Sequence, residues 1–238
     1  MKQFAIIGLG NFGRRILEEV ADLDCEILII DKDREIIEIY KDRVANAFIA
    51  DAINAEIINK LIPATIDAAI VDLGGKPEAS ILVTNYLKKM GIRNIIAKAE
   101  TDEHGEILDL VGATKVVFPN LEAAKRIAPM LVSSLISSYL PLSKDFIIAE
   151  VKPPDRYIGK SLIQSNLRKE YQLNVIAVRK ESGEDYSFFS PDYILADDDI
   201  FLVAGREENI SRFAQVNFSA RYGQGLKGFF KRFLSKLS

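Results

Sequence analysis

Phe4-Ala5-Ile6-Ile7-Gly8-Leu9-Gly10-Asn11-Phe12-Gly13 opens the chain with a short apolar run and three glycines in GxGxxG spacing. Eighteen residues after Gly13, Asp31 closes a second apolar run, Glu26-Ile27-Leu28-Ile29-Ile30. The pattern reads as a buried strand, a tight turn, a helix from about Phe12 to Leu23 and a second buried strand. Gly8 permits the turn, Gly10 lets a diphosphate approach the backbone, and Gly13 lets helix and sheet pack closely. The helix N-terminus offers free N–H groups and a positive dipole to phosphates. Asp31 can accept hydrogen bonds from both ribose hydroxyls and would repel a 2′-phosphate. An adenosine di- or triphosphate, or NAD, is thereby favoured over NADP.

Outward from this stretch the same alternation continues. Helical patterns at Arg34–Lys41, Ala55–Leu61, Pro77–Met90 and Glu103–Val111 separate strand-like runs at Ala45–Ile49, Ala68–Leu73, Asn94–Ala99 and Lys115–Phe118. Six strands joined through helices predict right-handed crossovers and a Rossmann-like, doubly wound parallel sheet over residues 1–118. Residues 119–142 read as a crossover and dimerisation helix. Asn120 caps it, an apolar stripe runs from Leu121 to Ile136, and Pro129 should kink it or end its first part. Residues 143–217 read as a small α/β domain, with strands at Phe146–Val151, Asn174–Arg179 and Ile200–Ala204. Its helices are expected at Lys160–Tyr171, entered through Gly159 and Ser161, and at Glu207–Gln215; Tyr186–Phe189 is strand-like. Residues 218–238 form a basic tail in which Leu226, Phe229, Phe230, Phe233, Leu234 and Leu237 share one helical face.

Composition sets limits. Of 238 residues, 48% are hydrophobic and 27% charged, the balance of a folded chain rather than a disordered one. A single cysteine, Cys25, forms no intramolecular disulfide, which fits a reducing cytosol. The apolar run after Lys2 is too short for a signal peptide, and no stretch is apolar enough to span a membrane. Net charge is −3, which gives no global reason to bind nucleic acid. The charge is uneven: residues 221–238 carry five basic side chains and no acid, so the remainder carries −8. An amphipathic basic end is expected to meet a membrane surface or a partner.

In an open parallel sheet the ligand crevice lies beyond the carboxyl ends of the strands. Lys32, Asp51, Ala52, Leu73, Gly74 and Lys98 therefore belong to the same mouth as the glycine turn. Asp51 could read an adenine amino group and Lys98 could meet phosphate. Arg14 and Arg15, in the first helical turn, oppose the dipole and call for anionic partners; one of them is expected to contact phosphate. The lone histidine, His104, makes a poor metal site, and Asp102 and Glu103 are expected to cap a helix. No nucleophile elbow or Walker A loop is present, so binding without turnover is expected. An NAD-dependent oxidoreductase is the alternative.

The order Phe4–Gly13, then Asp31, then Ala50-Asp51-Ala52, then Gly112-Ala113-Thr114-Lys115-Val116-Val117-Phe118-Pro119 resembles the regulators of potassium conductance, the RCK or KTN family. Tyr157-Ile158-Gly159-Lys160-Ser161-Leu162, with Asn174-Val175-Ile176-Ala177 and Ser190-Pro191, is similar to that family's C-terminal domain. The resemblance covers about nine-tenths of the chain. With no pore-forming segment evident, it is closest to the detached cytosolic subunits of bacterial Ktr/Trk potassium uptake systems, the KtrA type.

The resemblance implies a cytoplasmic, membrane-peripheral gating subunit. It implies dimers assembled into an octameric ring under a membrane-embedded potassium translocator, with ATP or ADP in the N-terminal crevice; NAD or NADH is the alternative ligand. Gly8 to Gly13, Asp31, Lys32, Asp51, Ala52, Leu73, Gly74, Lys98 and Asn120 would form that site. Asn11 stands where Ktr-type members place an arginine for the terminal phosphate, and Asn120 where they place an acid near its cation. Arg14 or Arg15, and Glu122, are the expected substitutes. Cyclic di-AMP, a ligand of some relatives, would meet Leu162, Ile163, Arg168, Asn174 and Pro191; by their own chemistry Leu162 and Ile163 suit a dimer core.

Overall fold

The computed structural model of the protein describes residues 1–216. The basic face at residues 226–237 lies outside the described residues. The described chain divides into two compact units, Met1–Asn120 and a second beginning at Leu121.

The first unit runs β1 (Lys2–Ile7), α1 (Asn11–Val20), β2 (Cys25–Asp31), α2 (Arg34–Tyr40), β3 (Asn46–Ile49), α3 (Ala55–Leu61), β4 (Ala68–Val71), α4 (Pro77–Lys89), β5 (Ile95–Lys98), α5 (Asp102–Val111) and β6 (Lys115–Val117). All strand pairs are parallel, in the order β3-β2-β1-β4-β5-β6. The lack of polar alternation along β1 has a direct cause. Ala5 and Ile7 pack into the core on one face and Ile6 into the core on the other, each fully buried. A parallel strand covered by helices on both faces has no side to leave polar. Strand order reverses between β1 and β4, where the chain leaves the centre of the sheet in both directions. That switch point opens a crevice at the carboxyl ends.

Asp33 and Asn54 accept the first free N–H groups of α2 and α3, which fixes where those helices begin. At α5 the cap is Thr101, whose hydroxyl accepts from the His104 N–H; Asp102 and Glu103, expected as caps, lie in the first turn instead. Both still favour the positive end of the helix dipole there. His104 is buried, with Nε2 2.7 Å from Ser80 Oγ.

The segment expected as one long helix over residues 119–142 is corrected by the structure. Helix α6 spans Pro119–Val132, and strand β7 spans Ile136–Pro141. Asn120 lies within the first turn of α6 rather than capping it, and Pro129 is accommodated inside the helix. Strand β7 pairs antiparallel with β8 (Phe146–Val151), and its register shifts between Ile136 and Ser138. That irregularity puts Ile136 and Tyr139, three residues apart, on the buried side. A regular strand would space them by two; the shift reproduces helical spacing in an extended chain.

The rest of the second unit is α7 (Leu162–Ser165), α8 (Leu167–Tyr171), β9 (Asn174–Lys180), β10 (Asp199–Arg206) and α9 (Glu207–Phe213). Its four-stranded sheet is antiparallel, in the order β7-β8-β10-β9. Ser161 starts α7 with a reciprocal capping box to Gln164. The single helix expected over Lys160–Tyr171 is broken by Asn166, which takes a left-handed conformation at φ 51°. Asparagine tolerates that region better than most side chains. Tyr186–Phe189 forms no strand; it contributes one bridge, between Val178 and Ser187. Among the described residues no helix is long and apolar enough to cross a membrane.

Candidate functional site

The glycine turn is held by contact with the end of β4. Gly8 has φ +83°, and a Cβ there would lie 2.1 Å from the Asp72 carbonyl oxygen. Only glycine satisfies both the dihedral and the space. Gly10 is pressed from the side: a Cβ would lie 2.4 Å from Asp72 Oδ2. The space against Gly10, expected to admit a diphosphate, is thus already approached by a carboxylate of this chain.

Asp31, at the end of β2, reaches back across the turn. Its Oδ2 accepts the Leu9 N–H at 2.6 Å and its Oδ1 the Asp33 N–H at 2.9 Å. Each carboxylate oxygen can accept more than one bond, so Asp31 keeps capacity for a sugar hydroxyl.

Between these elements lies a cleft of about 260 Å³, near the lower end of the roughly 300–1,000 Å³ usual for small-molecule pockets. Gly8, Leu9, Gly10, Asp31, Lys32, Asp51, Ala52, Leu73 and Gly74 line it together. Its apolar wall includes Ile30, Ile36, Ala50 and Ile53, surfaces against which a flat base could lie. Asn11, Phe12 and Gly13 open α1 beside it but do not line it. Lys98 does not line it either: at the end of β5 its ammonium sits 3.3 Å from Asp72 Oδ1 and 2.8 Å from Glu100 Oε1. Burial alone would push the Lys98 ammonium down, but the Glu100 bond and the negative charge of Asp72 more than offset it, and the net shift is upward. Asn120 lies in α6, outside the cleft.

The two arginines separate. Arg15 is largely exposed and paired with Glu18 at 2.7 Å. Arg14 folds toward the helix start, donating from Nη2 to Asn11 Oδ1 at 2.7 Å.

The residue that sequence reading missed is Asp72. It is 2% exposed, and its Oδ2 accepts the N–H groups of Phe12 at 3.0 Å and Gly13 at 2.9 Å. Its Oδ1 is buried, and its charge partner is the Lys98 ammonium at 3.3 Å. The carboxylate therefore occupies part of the anion seat at the start of α1. A charged group directly after a buried parallel strand must be paired, and that signal was available in Val71-Asp72-Leu73-Gly74-Gly75.

In the second unit, backbone bonds bring Leu162, Ile163 and Pro191 together: the Leu162 N–H donates to the Tyr193 carbonyl at 2.9 Å and the Ile163 N–H to the Pro191 carbonyl at 3.0 Å. Ile163 is 65% exposed. Arg168 and Asn174 are exposed on α8 and β9, and no hydrogen bond or ion pair joins either side chain to that segment.

Six parallel strands in this order, with a glycine loop and a strand-end aspartate at the switch point, define a dinucleotide-binding-type α/β domain. Comparison with known proteins agrees. The TrkA-N domain model matches residues 4–119 and the TrkA-C domain model residues 146–216. Ktr system potassium uptake protein C of Bacillus subtilis (strain 168) is 32% identical over 212 residues, 89% of this chain and 96% of that protein. Protein A of the same system and organism is 31% identical over 212 residues, 89% of this chain and 95% of that protein. The GsuK RCK domain superposes with a TM-score of 0.62 at 16% identity, covering 90% of this chain but 47% of that one. The GsuK channel bound to NAD gives a TM-score of 0.62 at 17% identity, with 89% and 38% covered. The present chain thus spans less than half of those solved chains, and the likeness to them is one of fold. The chain belongs to the RCK family with TrkA-N and TrkA-C domains, and within it to the KtrA-type regulatory subunits of potassium uptake systems.

Proposed function

We propose that this protein is a cytoplasmic, membrane-peripheral gating subunit that senses an adenosine nucleotide in the cleft of its first unit. The observation that carries the reading is the facing of the Asp31 carboxylate and the glycine turn across one mouth, with an apolar wall behind. Asp31 would hold the ribose, the wall the adenine, and the remaining N–H groups at the start of α1 the phosphates. Arg14, already turned toward Asn11, is the better placed of the two arginines to meet phosphate. The ligand is ATP or ADP, or else NAD or NADH. It acts by preferring one of two shapes of a ring of this chain, since a ligand that binds both equally shifts nothing. The partner is a membrane-embedded potassium translocator, and ring assembly through dimers, up to an octamer, belongs to the same proposal. The exposed Ile163 beside Pro191 is assigned to contact between copies.

Calorimetry of the full chain against ATP, ADP, NADH and cyclic di-AMP tests this. Asp31→Ala should weaken every adenosine nucleotide on the order of 10- to 100-fold, through loss of bonds to a charged acceptor. Cyclic di-AMP affinity that survives Asp31→Ala would assign that ligand to Leu162, Ile163, Arg168, Asn174 and Pro191. The reading fails if no adenosine nucleotide binds, or if Asp31→Ala leaves affinity unchanged. Turnover of a hydroxy acid with NAD would favour the oxidoreductase alternative.

A further inference from the structure

Asp72 has a consequence for which nucleotide the cleft accepts. Its carboxylate holds the Phe12 and Gly13 N–H groups, so among the orphan donors at the start of α1 only those of Gly10 and Asn11 remain without a protein acceptor. A phosphate using those two donors would lie beside the buried Asp72 carboxylate. Lys98 offsets that charge only in part, because its ammonium is shared with Glu100. The lining as a whole is acidic: Asp31, Asp33, Asp51 and Asp72 face Lys32 and Lys76. In a partly dehydrated cleft such charges act strongly on a ligand's own charge.

We propose that Asp72 is a specificity-determining residue: a built-in anion that makes the cleft prefer the nucleotide with the least phosphate charge. The inference rests on the nucleotide reading above and orders its candidate ligands. A terminal phosphate monoester carries close to two charges at neutral pH, whereas each bridging phosphate of a dinucleotide carries one. Affinity therefore falls from NADH to ADP to ATP.

The test is calorimetry of the full-length wild-type chain and of Asp72→Asn against NADH, ADP and ATP, in chelator so that no divalent cation masks the phosphates. Asparagine keeps an acceptor for the Phe12 and Gly13 N–H groups while removing the charge. The expected result is tighter wild-type binding of NADH than of ATP, and an ATP-to-NADH affinity ratio raised at least about tenfold by Asp72→Asn. A merely structural role would move both ligands together. Lys98→Met provides the opposite perturbation and serves if Asp72→Asn fails to fold: with Asp72 uncompensated, the ratio should fall. Wild-type preference for ATP, or a ratio unmoved by the folded variants, overturns the inference while sparing the nucleotide reading. Absence of binding by any nucleotide to any folded variant overturns the reading itself, and the inference with it.

Discussion

Glu150 gives the most quantitative test of the energetics. It sits on β8 and accepts Arg179 in two bonds, Nε to Oε1 at 2.7 Å and Nη2 to Oε2 at 3.1 Å. The Ser137 hydroxyl adds a bond at 3.0 Å and the Tyr186 hydroxyl another. Both charged side chains are mostly buried, at 13% and 16% exposure. The paired bonds from Arg179, chiefly, hold the Glu150 carboxyl well below its ordinary value of 4.5, at about 2, against an opposing push from burial. At about 1.4 kcal/mol for each pKa unit, that lowering corresponds to ~3 kcal/mol of folding stability, or ~2–3 kcal/mol after a discount for the exposed fraction. The sign follows from the direction. The unfolded chain binds the proton more readily, so the contribution is complete above pH ~4.5 and is lost as pH falls toward ~2. Glu150→Gln should therefore lose ~2–3 kcal/mol of unfolding free energy at pH 7, read from urea melts followed by circular dichroism. The gap between wild type and variant should close steadily as pH falls from 4.5. A gap below ~0.5 kcal/mol at neutral pH, or one that stays constant down to pH ~2.5, would refute this reasoning.

Two further substitutions probe the first unit. Gly8→Ala meets both a positive φ and a backbone oxygen 2.1 Å from the new methyl carbon; it should cost ~3 kcal/mol or more and lower the urea midpoint without changing the slope. Burial holds the His104 imidazole below its ordinary value, so the unfolded chain takes up the proton first and stability should decline as pH falls through ~6.5. In His104→Gln that decline between pH 7 and 5.5 should vanish from thermal melts.

The opening strand, its glycine turn, α1 and Asp31 were legible because each is a short-range pattern: an unbroken apolar run, a fixed glycine spacing, an acid at a strand end. Helix α3 was legible to the residue, bounded by Asn54 and Pro63. What was not legible depended on partners distant in sequence. Leu135 and Ile136 continue the helical stripe, and only pairing with β8, with its shift between Ile136 and Ser138, makes Ile136–Pro141 a strand. Asn166 interrupts a helix whose apolar positions continue unbroken on either side. Asp72 lies within the strand-like run Ala68–Leu73 and carries no local mark of its partners. Its place under α1 follows from β4 lying next to β1, which is a property of strand order rather than of local sequence.

The seat that Asp72 takes at the start of α1 also bears on the life of the empty subunit. Many proteins built around a cofactor sag or are degraded when it leaves, because the groups that held it are stranded. Here two of those groups stay satisfied from within. Under the proposed function, loss of nucleotide would leave those two donors paired as they are, so the empty first unit should keep more of its stability than a site whose donors are all stranded.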